Sequence, residues 1–115
     1  MTLNLNGLDV DCIIGDRADE RTRPQTLRID ATLEIPPAAA QSDALRDTLD
    51  YVTLTEDIRR GLVAAKCQMI ERAAKISFDV CAAACRPVAG ARPLRVTVTK
   101  SGAIPGLASA SVCYP

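Results

Sequence analysis

The chain has 115 residues, a length that suits one domain and is too short for two comfortable ones, so residues 1–115 are read as a single unit. A composition 48% hydrophobic and 24% charged supports a real core and argues against disorder. Lys and Arg number 14 and Asp and Glu number 14, so no net field draws nucleic acid or an anionic membrane, and no apolar run nears the roughly 18 residues of a membrane span. The opening MTLNLNG has neither a basic stretch nor a long apolar one; no signal peptide is expected, and the cytoplasm is the expected compartment.

In chain order, Leu3 and Leu5 hold one alternating phase and Leu8, Val10, Cys12 and Ile14 the other. Gly7 stands at the change, which predicts a strand with a bulge or bend. A charged connection, GDRADERTRP, covers Gly15 to Pro24. Leu27, Ile29, Ala31, Leu33 and Ile35 then keep strict period two, with Arg28, Asp30, Thr32 and Glu34 opposite, and Pro36-Pro37 ends that strand. The two strands read as an antiparallel pair with one wet face. A small-residue connection follows, and Thr53-x-x-Glu56 has the form of a capping box before a helix that puts Leu54, Ile58, Leu62 and Ala65 on one face. After a break at Lys66–Gln68, Ile70, Ala73, Ala74, Ser77, Cys81 and Ala84 repeat at helical spacing in a second helix over about Met69 to Ala84. Leu94, Val96 and Val98 predict a third strand delivering Lys100 at its end; Ala108, Ala110, Val112 and Tyr114 predict a short fourth. The order ββααββ is an α+β domain: an antiparallel sheet with two helices on one face. Such a sheet has edges to protect, and closing them into a ring with other copies is one solution.

The sequence contains no histidine. Ser-His-Asp and Cys-His nucleophile arrangements are excluded in their usual form, as is imidazole-bound zinc. Acids and bases must come from Asp, Glu, Lys, Tyr or Cys. Five cysteines without a C-x-x-C pair read as small reduced core residues; Cys81 and Cys85, four apart, form at most half a metal site.

Four positions carry potential chemistry. Glu71 opens the second helix, where the helix N-terminus favours a carboxylate that can accept two parallel N–H bonds from a planar heterocycle. Lys100 follows Val96 and Val98 in phase, and an ammonium whose pKa moves on desolvation suits a general base. Tyr51, in the step Leu49-Asp50-Tyr51 before the first helix, has a hydroxyl able to donate a proton. Glu20 sits in the charged connection. Each has an ordinary reading as well: a solvated first-turn Glu, a strand-end Lys reaching water, an edge aromatic, and for Glu20 a surface charge. Spacing alone does not assemble them.

The stretches IIGDRADERTRPQTLRIDATLEI, SDALRDTLDYVTLTEDI, IERAA and VTVTKSGAIPG, in this order and spanning almost the whole chain, resemble the dihydroneopterin aldolase family of folate biosynthesis. The resemblance implies the tunnelling fold, whose subunits join sheets into a ring as a homo-oligomer, tetramer or octamer, with active sites between subunits. It implies retro-aldol cleavage of a small-molecule pterin, 7,8-dihydroneopterin, to 6-hydroxymethyl-7,8-dihydropterin and glycolaldehyde, with no cofactor, metal or Schiff base. By the same resemblance Glu71 anchors the aminopyrimidinone edge, backbone groups near Ile70 and Leu49 complete the pocket, and Lys100 transfers protons with a water. Glu20 positions Lys100 and that water, and Tyr51 of a neighbouring subunit protonates the carbon left after cleavage. The chain departs from the family pattern in DRADE, which lacks an aromatic before Glu20, and in Ser101 after Lys100. Alternative activities within this resemblance are epimerisation of dihydroneopterin or its triphosphate, for which Arg17, Arg21 and Arg23 supply charge, and pterin binding without catalysis.

Overall fold

Alternating apolar residues make the sheet. In the computed structural model, which describes residues 1–115, strand β1 is Thr2–Cys12 and β2 is Gln25–Glu34. Strand β3 is Arg92–Ser101 and β4 is Ser109–Tyr114; the four lie side by side in sequence order, every neighbouring pair antiparallel. The phase change at Gly7 is a β-bulge: Leu5 pairs with Ala31 and Leu8 with Ile29, so two residues of β1 face one of β2. Gly7 takes φ +77°, in the left-handed region, and its N–H donates to Asp30 Oδ1 at 2.7 Å. The extra residue puts Leu3 and Leu5 back on the face that carries Leu8, Val10 and Cys12. That face, with Leu27, Ile29, Ala31, Leu33, Val96 and Val98, forms the sheet side of the core. The strand stops at Cys12, short of Ile14, although Ile14 is fully buried, and Ala108 lies outside β4.

Helix α1 is Ala38–Ser42, α2 is Tyr51–Ala65 and α3 is Ile70–Cys85. The short α1 corrects the expectation of an irregular connection: three consecutive alanines after Pro37 are good helix formers. The cap of α2 is also corrected. Asp50, not Thr53, is the N-cap, its side chain accepting from the backbone N–H groups of Val52 and Thr53 at 3.0 and 3.3 Å. A carboxylate two or three residues before the orphan N–H groups outcompetes a hydroxyl already inside the helix. Asp50→Ala is expected to lower stability by about 1 kcal/mol, read as a lower denaturant midpoint at unchanged slope. Leu54, Ile58 and Leu62 are buried as their spacing requires, but Ala65 is exposed at the helix end.

Helix α3 presents Ala73, Ala74, Ser77, Cys81 and Cys85 to the core. Small residues let its axis approach the sheet closely, and the buried Ser77 hydroxyl is satisfied by donating to the Ala73 carbonyl at 2.8 Å. Cys81 and Cys85 share this inner face; burial raises both thiols above the ordinary range, that of Cys81 to about 12. Helices α2 and α3 cover one face of the sheet, and no helix is long and apolar enough to cross a membrane.

The domain is elongated, 50 × 26 × 20 Å, with a radius of gyration of 15.2 Å against roughly 13 Å for a compact chain of this length. The long β1–β2 pair is the cause. Its Leu3, Leu5 and Leu8 are only half-buried, and with Tyr51 and Thr55 they line an open groove of about 420 Å³. Strands β1 and β4 are both free edges.

Candidate active site

The register of the sheet places Lys100. It pairs with Leu27 and keeps the phase of Val96 and Val98, so its side chain enters the covered face at the sheet's end. There it meets Glu20. The ammonium donates to Glu20 Oε2 at 2.5 Å, with the side chains 13% and 6% exposed. This corrects the surface reading of Glu20: the residue lies in a short 3-10 turn, Ala18–Arg21, that folds back onto the sheet. Burial of an acid is tolerated here because the charge is paired and hydrogen-bonded. Gln25 Nε2 also donates to Oε2, at 3.0 Å, and to the Ile14 carbonyl at 2.8 Å. Arg17 approaches Oε1 at 3.4 Å from the exposed side.

Gly15 makes room for this pair. Its φ is +118°, and a Cβ built on it would fall onto the Glu20 carboxylate, so only glycine allows the carboxylate to lie against the backbone. Periodicity and charge alone assign no role to Gly15 or Gln25. The signal is a glycine directly after the alternating residues that end at Ile14, five residues ahead of an acid, and it gains meaning only once the turn is folded.

The hydrogen bond from Lys100, then that from Gln25, hold the Glu20 carboxyl down from the ordinary 4.5 to about 2, against the opposing effect of burial. Because the folded value lies below the unfolded one, the stabilisation is complete above about pH 5 and is lost as pH falls towards 2. Thermal unfolding followed between pH 7 and pH 2 should show the native protein losing its advantage over Glu20→Gln across that interval. A difference that stays constant down to pH 2 would contradict the assignment.

Glu71 occupies the first turn of α3, exposed, and enters none of the chain's ion pairs. Its helix begins three residues after Cys67, whose carbonyl accepts from the Gly15 N–H at 3.1 Å. Glu71, Ile70, Glu20 and Lys100 are therefore drawn to one end of the molecule. Tyr51 and Leu49 are not. Tyr51 is the first residue of α2 rather than a residue before it, 54% exposed, and lies in the groove beside β1. Leu49 is buried beside Ala84 and Val88 at the far end of α3, a helix about 22 Å long. Within one chain, then, the six residues fall into two groups at opposite ends of the helix pair. None of the chain's three grooves is lined by Glu71 or Lys100.

This is an α+β domain with a buried Lys–Glu pair at a sheet end, beside a helix whose first turn carries an unspent carboxylate. The family model described as FolB: Dihydroneopterin aldolase matches residues 3–114, and the chain belongs to that family. No curated protein matches the chain by sequence. Among solved structures it is similar to the E. coli dihydroneopterin aldolase in complex with neopterin. The TM-score is 0.85 at 24% identity, over 99% of this chain and 96% of that one. The Vibrio cholerae protein assigned as a dihydroneopterin aldolase (FolB) gives 0.83 at 24% identity, over 99% and 94%. A dihydroneopterin aldolase from Burkholderia thailendensis, bound to guanine, gives 0.72 at 22%, over 99% and 88%. These likenesses bear out the antiparallel α+β fold.

Proposed function

We propose that the chain is a 7,8-dihydroneopterin aldolase whose active site is completed between copies. The observation that carries this reading is the buried Glu20–Lys100 pair held at the same end of the fold as the unspent Glu71. Glu71 accepts two N–H bonds from the aminopyrimidinone edge of the pterin, with backbone groups near Ile70 in support; bidentate, charge-assisted pairing is both strong and selective. Lys100, oriented by Glu20, moves protons at the side chain through a water. A proton leaves the hydroxyl on the second side-chain carbon, and the bond from that carbon to the first one breaks. The electron pair passes into the ring C=N, and glycolaldehyde departs. The first carbon then takes a proton, giving the hydroxymethyl product. The substrate is its own electron sink, so the residues supply orientation and proton transfer.

Tyr51 serves as the acid for that last proton from a neighbouring copy, and Leu49 comes with it. Separation of the two groups in one chain supports this, as do two free sheet edges and the half-buried Leu3, Leu5 and Leu8 beside Tyr51. A ring of copies, tetramer or octamer, joins edge to edge and brings one copy's Tyr51 to the next copy's Lys100.

For the epimerase alternative, a triphosphate needs unspent cations. Of the three arginines near Glu20, Arg17 faces Asp19 and Glu20 and Arg21 is taken up by carbonyl oxygens, which leaves Arg23 alone, exposed and unpaired, and one cation for three phosphates favours the unphosphorylated substrate. Incubation with 7,8-dihydroneopterin in the presence of a chelator should release glycolaldehyde. Formation of the epimer alone would make the chain an epimerase, and binding without turnover would make it a binding module. Light scattering should find an oligomer; a strict monomer at working concentration would defeat the shared site.

A further inference from the structure

We propose that Arg21 is a positioning residue, whose guanidinium clamps the loop bearing Glu20 to the turn that leads into Glu71 and thereby sets the proton-transfer pair relative to the pterin anchor. The inference rests on the aldolase reading and adds a residue to it. Arg21 is half-buried and donates to three carbonyl oxygens: Gly15 at 2.9 Å, Cys67 at 3.2 Å and Lys66 at 2.7 Å. One belongs to the Glu20 loop and two to the turn between α2 and α3. That turn needs such a donor. Lys66 caps α2 in the left-handed region, φ +46°, and the chain then leaves the helix, so its carbonyls have no following turn of N–H groups to pair with. The Gly15 N–H reaches the Cys67 carbonyl alongside, at 3.1 Å. Arg21 is adjacent in sequence to Glu20, and Cys67 lies four residues before Glu71. One planar fork therefore holds both halves of this end of the site. A lysine, with its single nitrogen, cannot reach three separate oxygens in this fork geometry. Without the clamp, Glu71 still presents its carboxylate, Lys100 still pairs with Glu20 and α3 stays packed on the sheet, but the Gly15 N–H is the one hydrogen bond left between the Glu20 loop and the turn before α3. Catalysis is far more sensitive to such a displacement than binding is, since roughly 1 Å of misplacement costs about 100-fold in rate.

The test uses the full chain with Arg21→Ala, and with Arg21→Lys and Arg21→Gln to cover the case in which the alanine variant does not fold. Three quantities are read: kcat with 7,8-dihydroneopterin, the dissociation constant of neopterin as a ligand probe, and hydrogen exchange at the Gly15 amide. The expected result for Arg21→Ala is kcat lower by about 10- to 100-fold, neopterin affinity within about threefold of native, and faster Gly15 exchange. Arg21→Lys should recover part of kcat. A kcat within twofold of native in the alanine variant would overturn the proposal, as would an affinity loss equal to the rate loss or unchanged Gly15 exchange. If the native protein binds neopterin but turns nothing over, the aldolase reading fails, and Gly15 exchange alone decides whether the clamp exists.

Discussion

Lys100→Ala should lower turnover of 7,8-dihydroneopterin by about 10²–10⁴-fold, the range for losing a general acid–base group, while neopterin affinity stays near native. The split follows from placement. Lys100 lies under the sheet end against Glu20, whereas Glu71 stands in the first turn of α3 and is engaged by neither. The substitution also leaves Glu20, 5% exposed, with only the largely exposed Arg17 as a cation, which costs stability in its own right. The double variant Glu20→Gln with Lys100→Met separates the two effects. It removes both charges, so it should regain stability over Lys100→Ala without regaining activity. Single-turnover kinetics and urea unfolding on the same preparations check both halves. Native-like turnover in either variant would take Lys100 out of the mechanism.

Glu71→Ala should produce the opposite pattern, a collapse of pterin affinity. Two charge-assisted hydrogen bonds at about 1.5–3 kcal/mol each imply a loss of at least ~100-fold in the dissociation constant. The fold should be untouched, because the side chain is exposed and α3 is held by its inner face of Ala73, Ala74, Ser77, Cys81 and Cys85. Glu71→Gln keeps the shape and exchanges one acceptor oxygen for a donor, so it should bind almost as poorly as the alanine variant. Titration calorimetry with neopterin reads both variants, and intact affinity in either would defeat the anchor assignment.

Read alone, the sequence determined the elements that rest on local periodicity. Period two in Leu27–Ile35 and Leu94–Val98, helical spacing in Leu54–Leu62 and Ile70–Ala84, and the phase slip at Gly7 each reflect which side of one segment is dry. They are legible because burial repeats with the geometry of the backbone. Helix ends were less legible: Asp50 and Thr53 are both capping residues by type, and only the path of the chain into α2 chose between them. Glu71 and Lys100 were legible as residues in telling positions, one in a helix's first turn and one at a strand's end. Their relation to Glu20 was not. The acid lies 80 residues from its lysine, in a connection with no periodicity. Its burial depends on a glycine at 15, an amide at 25 and a guanidinium at 21 that meet only after the sheet and the helix pair have docked. Tertiary structure alone also decided that Tyr51 and Leu49 fall at the opposite end from Lys100, because two antiparallel helices carry their N-termini to opposite ends. Side-chain pattern reports the solvent on either side of a segment; the meeting of distant segments is decided by packing, which leaves no local trace.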